Sequence, residues 1–150
     1  MNTRNKLQTV LEQRLITLTK LNSDEWSINT EEHVECPVIT GFRRIDVVAD
    51  PDDHGQAGYA FEIKTESSSR HHISVQLRDY LISGYRPILV APESILDKQL
   101  PRSTHISIEW IVDFLDVTFI SFDGEESIDF NVVENKLPQS DDLRPLLEKL

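Results

Sequence analysis

Cysteine is almost absent from this chain, and long apolar runs are missing. Cys36 is the only cysteine among 150 residues, which rules out an intrachain disulfide and any zinc cluster built on cysteines. No apolar run approaches the roughly 20 residues that a bilayer-spanning helix needs. The first residues, MNTRNKLQTV, lack the apolar core of a signal peptide. We therefore expect a soluble, cytoplasmic protein with no membrane partner.

Basic side chains are also scarce, at 15 against 26 acidic ones, giving a net charge of −11. That balance alone argues against a nucleic-acid partner. The charge is unevenly distributed, however. Residues 41–102 hold 8 basic and 9 acidic side chains, whereas residues 103–150 hold 3 and 11. The middle of the chain is therefore nearly neutral, and the C-terminal third is strongly acidic.

Lysine is especially scarce, with six residues against the 26 acids. This ratio is typical of proteins adapted to high salt, so we expect a halophilic source. Folding stability measured against molar KCl tests this expectation, and full stability in dilute buffer would count against it.

Apolar residues make up 39% of the chain and recur periodically, which predicts a folded domain. Three- and four-residue spacings from Leu7 to Leu18 predict a helix over residues 3–21. Strands are predicted over 26–36, 42–49 and 59–65. The loop DPDDHGQAG between the last two is rich in turn formers, so these strands should pair as an antiparallel hairpin.

The pattern then changes to a helix followed by a buried strand. Ser67 to Ser69 offer N-caps, and Gly84 offers a C-terminal stop. The expected apolar stripe of this helix is Ile73, Leu77, Tyr80 and Leu81. A strand over 87–91 completes a βαβ unit with parallel strands. The rest is predicted as helices over 93–100, 107–115 and 141–150 and strands over 117–122 and 128–133. The order predicts a single α/β domain around a mixed sheet.

The stretch AFEIKTES places Glu62, Lys64 and Glu66 at alternate positions of the third strand. Side chains at alternate positions point to the same face. A solvated sheet face with cross-strand ion pairs is the ordinary interpretation of such a pattern, and for this stretch alone it is the favoured one. A site that gathers charge for chemistry is the alternative.

Asp46 on the preceding strand strengthens that alternative. In an antiparallel hairpin it can lie beside Glu62, and two close carboxylates repel each other. A divalent cation such as Mg²⁺ removes that cost, because it binds one or two carboxylates together with water and phosphate. Lys64 would then lie on the same face, where it could orient a water or neutralise charge on a phosphate.

The helix after the third strand adds two further features. Gln76 and Tyr80 are four residues apart, which places them on one helical face. The segment is also locally basic, with Asp79 as the only acid in residues 67–86. Its cationic or titratable side chains, candidates for phosphate contacts, are Arg70, His71, His72, Arg78 and Arg86.

These elements in this order resemble the PD-(D/E)XK nuclease superfamily. The carrying motifs are G-x-x-R-I-D ending at Asp46, E-I-K from Glu62 to Lys64, and Q-x-x-x-Y from Gln76 to Tyr80. The last motif is most similar to the RecB-like branch, and the resemblance covers roughly residues 1–92. Ile45 stands where the family usually has proline. Because the chain has one cysteine and so no cysteine cluster, the iron–sulfur members of that branch are excluded.

The resemblance implies a restriction-endonuclease-like αβββαβ core. The charge count separately predicts an acidic extension of the same domain over about 103–150. It implies Mg²⁺ or Mn²⁺ held by Asp46, Glu62 and the backbone carbonyl of Ile63. Glu12 matches the first-helix acid that many members use, and an ordinary exposed helix acid is an equal alternative. Lys64 would position or activate water, and Gln76 and Tyr80 would support the site or contact DNA. The implied DNA contacts are Arg44, Arg70, His71, His72 and Arg78.

The expected function is therefore a metal-dependent DNA nuclease, a phosphodiester hydrolase of endo- or exonuclease type. Because the chain is acidic overall, binding would rely on a local patch, and a homodimer or larger nucleoprotein assembly would supply more contact area. An inactive nuclease-like module that binds nucleic acid or a protein partner is the alternative. A purely structural α/β domain is the third interpretation.

Overall fold

The computed structural model describes residues 3–22, 26–35, 42–51, 58–65, 72–99, 106–123 and 129–132. These residues form three α-helices, one 3₁₀ helix and six strands. In chain order they are α1 (Thr3–Asn22), β1 (Trp26–Glu35), β2 (Phe42–Pro51), β3 (Tyr59–Ile63), α2 (Ile73–Ile82), β4 (Arg86–Ala91), the 3₁₀ helix (Glu93–Asp97), α3 (Ile108–Phe114), β5 (Thr118–Asp123) and β6 (Asp129–Val132).

The strands form one mixed sheet in sequence order, β1-β2-β3-β4-β5-β6. The first three strands pair antiparallel, β3 to β5 pair parallel, and β6 returns antiparallel to β5. The helix α2 is the crossover between parallel strands β3 and β4, as the βαβ pattern predicted. The α/β class and the mixed sheet are thus confirmed, and β5 and β6 belong to the same sheet as the first four strands.

The β2–β3 ladder determines which residues meet in the hairpin. Val47 pairs with Phe61 and Ala49 with Tyr59. One step further along this register, Asp46 stands opposite Glu62, but the ladder ends before that pair. The strands therefore separate where the sequence places its two acids.

Apolar side chains cover both faces of the sheet. On one face, Leu7, Leu11 and Leu15 of α1 repeat every four residues and pack on a fully buried apolar layer that includes Val47 and Phe61. On the other face, α2, the 3₁₀ helix and α3 pack on Leu89, Ala91 and Phe119. Tyr80 of α2 forms a smaller cluster there with Ile45, Val48 and Ala60.

The predicted elements match the observed ones with a few corrections. β3 ends at Ile63 rather than residue 65, although the Lys64 amide still donates to the Val90 carbonyl at 2.9 Å. Residues 93–97 form a 3₁₀ helix. Leu81 is wrong as a stripe residue, because it is 38% exposed.

Gly84 ends α2 as predicted. Its φ of +92° is a left-handed conformation that glycine adopts without steric cost, and its amide donates to the Leu81 carbonyl. The prediction that Ser67 to Ser69 cap α2 is wrong, because the helix begins at Ile73 with His72 at the N-cap position and no side-chain cap hydrogen bond. Cys36 and the predicted helix 141–150 lie outside the described residues. Across the helices that the structure describes, none combines the length and apolar character needed to cross a bilayer.

Candidate functional site

Three charged side chains are buried where β2 and β3 separate. Asp46 and Glu62 are each 2% exposed, and the Lys64 side chain is 11% exposed. The Lys64 Nζ lies 3.1 Å from Glu62 Oε1, which is ion-pair distance. The interpretation of AFEIKTES as a solvated strand face is therefore wrong for Glu62 and Lys64. Glu66 lies outside the described residues.

The carboxylate of Asp46 is held by two donors from different elements. Its Oδ2 accepts a hydrogen bond of 2.9 Å from the backbone amide of Ile63. This bond replaces a strand-to-strand bond at the position where the ladder ends. Its Oδ1 forms an ion pair with Nη2 of Arg4, which extends from the first turn of α1. The main chain thus fixes the orientation of Asp46, and a side chain neutralises it.

Glu62 is positioned by α2 as well as by Lys64. The hydroxyl of Tyr80 donates a short hydrogen bond of 2.5 Å to Glu62 Oε2. The same hydroxyl lies 3.4 Å from the backbone carbonyl oxygen of Arg44. Tyr80 is 1% exposed, so its ring anchors the hydroxyl in the apolar cluster under β2 and β3. Each Glu62 oxygen consequently has a defined partner.

The electrostatics of the site show that the two carboxylates interact. Burial raises the pKa of Glu62 above its usual value of 4.5, and the nearby charge of Asp46 raises it further. Lys64 and the Tyr80 hydroxyl lower this pKa, but their effect is the smaller one. In the folded chain, the ionised form of Glu62 is therefore disfavoured relative to the same group in water. An added cation would relieve that cost.

Backbone strain lies beside the site. Glu31 of β1 stands opposite Asp46 in the β1–β2 register and has φ of 53°, in the left-handed region. For a residue other than glycine this conformation costs on the order of 1–2 kcal/mol. The Glu31 carboxylate is 3.7 Å from the guanidinium of Arg44, and both side chains are about half exposed. Arg44 thus marks the solvent side of the site.

Two buried amide oxygens flank the site along the helices. Oε1 of Gln8 and Oε1 of Gln76 have no hydrogen-bond partner among the described residues. Gln8 is one turn after Arg4 on α1, and Gln76 is one turn before Tyr80 on α2. A buried acceptor without a donor is costly. Both oxygens therefore lie one helical turn from a residue that binds the carboxylate pair and could accept from a bound water or ligand.

The donor set suits a hard divalent cation. Mg²⁺ prefers oxygen ligands and takes one or two carboxylates, completing its shell with water and phosphate. Asp46 and Glu62 provide such a pair. Asp46 and Glu62 could therefore hold such an ion between them. Within the described ranges, no cluster of three or more His, Cys, Asp or Glu side chains is found.

The other predicted site residues lie away from the carboxylate pair or outside the described residues. Glu12 is half-buried on α1, two turns beyond Arg4. Arg78 is half exposed and contacts Asp79 at 3.2 Å, and His72 is exposed at the start of α2. Arg70 and His71 lie outside the described residues. The structure therefore brings together Asp46, Glu62, Ile63, Lys64 and Tyr80, with Arg44 at their rim.

Arg4 is the site residue that the sequence analysis missed. A signal for it existed: the first turn of α1 has no acidic residue and carries a cation, where the positive end of the helix dipole disfavours one. Asp46, far away in sequence, supplies the compensating charge. The full burial of Asp79 on α2 was also unexpected, because acids are rarely buried completely and the surrounding segment is basic.

Comparisons with known proteins are sparse. No protein-family model matches the chain, and no curated protein matches it. A crystal structure of AF1548, a protein of unknown function, is similar to the chain with a TM-score of 0.44 and 14% sequence identity. The similarity covers 91% of this chain and 64% of that one, so this chain spans less than two thirds of its length.

Proposed function

We propose that this chain is a metal-dependent DNA nuclease that hydrolyses phosphodiester bonds, with the restriction-endonuclease-like αβββαβ core of the PD-(D/E)XK superfamily. The observation that carries the proposal is the burial of Asp46, Glu62 and Lys64 together where β2 and β3 separate. The order α1-β1-β2-β3-α2-β4 is the order that the resemblance implies. A buried carboxylate pair beside a lysine is expensive to maintain, which favours a catalytic role over a structural one.

Each side chain has a distinct task in this proposal. Asp46 and Glu62 would hold Mg²⁺ or Mn²⁺, and the Ile63 amide and Tyr80 hydroxyl keep the two carboxylates in place. When bound, the ion supplies a Lewis acid that stabilises charge developing on the phosphate. The Lys64 ammonium, 3.1 Å from Glu62, orients the attacking water and offsets charge on the phosphate.

The DNA would approach from the side that Arg44 marks. Arg44 and Arg78 are half exposed and His72 is exposed, so all three are accessible to phosphate groups. With a net charge of −11, the chain repels DNA elsewhere. Binding should therefore weaken steeply with salt. A second copy or a partner protein that extends the contact would reduce this penalty.

An inactive nuclease-like module is the second candidate, and one contact favours it. Arg4 neutralises Asp46 within the chain, so this carboxylate does not need a metal ion to be stable. A module that has lost catalysis could keep the fold and bind nucleic acid or a protein partner. The two candidates differ in whether any DNA is cut.

A cleavage assay separates the two. The full chain is incubated with supercoiled, linear and branched DNA in Mg²⁺, Mn²⁺ or EDTA, alongside Asp46→Ala and Lys64→Ala. Lys98→Ala, a lysine change outside the site, is the matched control. The proposal expects metal-dependent cutting by the wild type and the control that falls about 10²–10³-fold in both site variants. Failure of the wild type to cut any substrate with either metal would refute it.

A further inference from the structure

Arg4 occupies the oxygen of Asp46 that the main chain leaves free. The Ile63 amide holds Oδ2, and Arg4 pairs with Oδ1. The Arg4 side chain is 29% exposed, whereas Asp46 is 2% exposed. The buried carboxylate is thus fixed by the backbone, while its cationic partner reaches the solvent. Of the two, the guanidinium is the one that can move away.

The charges at the site explain why a cation is needed there. Two carboxylates lie in one buried region, and each has a cationic partner among the described residues: Arg4 for Asp46 and Lys64 for Glu62. An uncompensated buried charge costs several kcal/mol. Arg4 also stands in the first turn of α1, where the helix dipole opposes a positive charge. The contact with Asp46 offsets this unfavourable position.

We propose that Arg4 is a built-in counter-ion for the metal-free site, which a divalent cation must displace in order to bind Asp46. This inference rests on the proposed function for the identity of the metal ligand. Two cations held against the same buried carboxylate oxygen repel each other, so a guanidinium and a metal ion at Oδ1 of Asp46 compete. Arg4 stabilises the empty site and lowers its affinity for metal. It is a regulatory residue, since it does not contact the reacting atoms in this arrangement.

Calorimetric titration with Mn²⁺ and Mg²⁺ tests the competition on the full chain. Removing the competitor in Arg4→Gln should tighten Mn²⁺ binding about tenfold, which corresponds to about 1.4 kcal/mol. Lys6→Gln removes the same amount of charge from the same helix and should change the affinity much less. Arg4→Lys retains the charge with a poorer fit and should lie between Arg4→Gln and the wild type.

Unfolding curves provide a second thermodynamic measurement. Without metal, Arg4→Gln should unfold at a lower denaturant concentration than the wild type, because Asp46 loses its partner. With saturating Mn²⁺, the difference should shrink or reverse, since the ion takes over that role. A deficit that stays constant with and without metal would mean that Arg4 does not compete.

Nuclear magnetic resonance observes the displacement directly in the unaltered chain. The Nε–Hε signal of Arg4, assigned by its absence in Arg4→Gln, should shift on addition of Mg²⁺ with the affinity that calorimetry gives. The shift should vanish in Asp46→Asn. A signal unaffected by saturating Mg²⁺ would overturn the inference.

The outcomes separate this inference from the function it rests on. If the wild type binds metal through Asp46 and Arg4→Gln binds no tighter, the counter-ion role is wrong and the nuclease proposal stands. An equal gain in metal affinity in Lys6→Gln would likewise overturn the counter-ion role of Arg4, since the gain would then reflect the overall charge of the chain. Binding that is measurable only in Arg4→Gln supports the role strongly. Absence of metal binding in every variant would refute both.

Discussion

Residues 61 to 64, at the end of β3 and just after it, are buried in alternately apolar and charged surroundings. Phe61 and Ile63 are fully buried against the apolar face of α1. Glu62 and Lys64 are almost as inaccessible, but they face a carboxylate, a tyrosine hydroxyl and each other. Apolar burial stabilises the fold by about 25 cal/mol per Å². Burying charge opposes folding unless the partners compensate it. Apolar packing thus explains the burial of Phe61 and Ile63. The burial of Glu62 and Lys64 needs another reason.

The largest expected effect on stability is on the apolar side. Phe61→Ala should lower the free energy of unfolding by about 3–5 kcal/mol, because it leaves a cavity in a fully buried layer. Urea unfolding measures this, with Phe114→Ala as the control, since Phe114 is 69% exposed. Similar losses in both variants would contradict the packing described for α1 and the sheet.

Tyr80→Phe tests the surroundings of the buried charges Glu62 and Lys64. Without the hydroxyl, Oε2 of Glu62 loses a buried donor, so the free energy of unfolding should fall by about 1–3 kcal/mol at neutral pH. Tyr59→Phe is the matched control. Its hydroxyl accepts from the exposed Arg86 at 3.0 Å, and its loss should cost less than about 1 kcal/mol. Equal losses in the free energy of unfolding would show that the buried Tyr80–Glu62 hydrogen bond stabilises the chain no more than the Arg86–Tyr59 hydrogen bond.

Replacing Glu62 should change how the free energy of unfolding depends on pH. The pKa of Glu62 is raised, chiefly by burial and then by Asp46, so its stabilising effect is complete below about 4.5 and is lost as pH rises through the raised pKa. Glu62→Gln mimics the protonated form at every pH. Relative to the wild type, the metal-free variant should therefore gain stability as pH rises. The gain is about 1.4 kcal/mol for each pH unit over which the folded chain keeps this proton and the unfolded chain has lost it.

Unfolding curves of the wild type and Glu62→Gln from about pH 4 to pH 8 measure this gain. Both proteins are kept in EDTA, so that no metal ion compensates the carboxylates. A stability difference that does not change with pH would contradict the raised pKa.

The smallest stability effect is expected at an exposed charge pair. Arg44→Gln removes a half-exposed contact of 3.7 Å to Glu31 and should change the free energy of unfolding by less than about 1 kcal/mol. If Arg44 contacts phosphate, the same change should reduce the slope of the logarithm of the DNA-binding constant against the logarithm of the salt concentration by about 1. A large loss of stability would show that this charge is structural instead.

Much of the fold was predictable because its signals are local. Alternating residues in β2 and β3 with turn formers between them indicated the hairpin, and the register then placed Asp46 opposite Glu62. The four-residue spacing of Leu7, Leu11 and Leu15 predicted α1. Leu81 was misjudged because it adjoins Tyr80 in sequence but falls on the outer side of α2, which the side-chain pattern alone did not resolve.

The site was only partly predictable because burial and long-range pairing are not local. Alternating charges favour a solvated face by themselves, whereas in the structure Tyr80 of α2 reaches Glu62 from a residue 18 positions away. The Arg4–Asp46 pair joins residues 42 positions apart and depends on how α1 lies across the sheet. Spacing rules do not report such a contact. The helix dipole argument for Arg4 indicated an unusual cation without indicating its partner.

Diffraction from crystals grown with MnCl₂, collected for the anomalous signal of manganese, tests the central claim most directly. We expect an anomalous peak within coordination distance of carboxylate oxygens of both Asp46 and Glu62, with the Arg4 guanidinium moved off Oδ1. Crystals of Asp46→Asn grown in the same solution should lack the peak. An ordered site without a peak, with Arg4 still bound to Asp46 at saturating manganese, would contradict it.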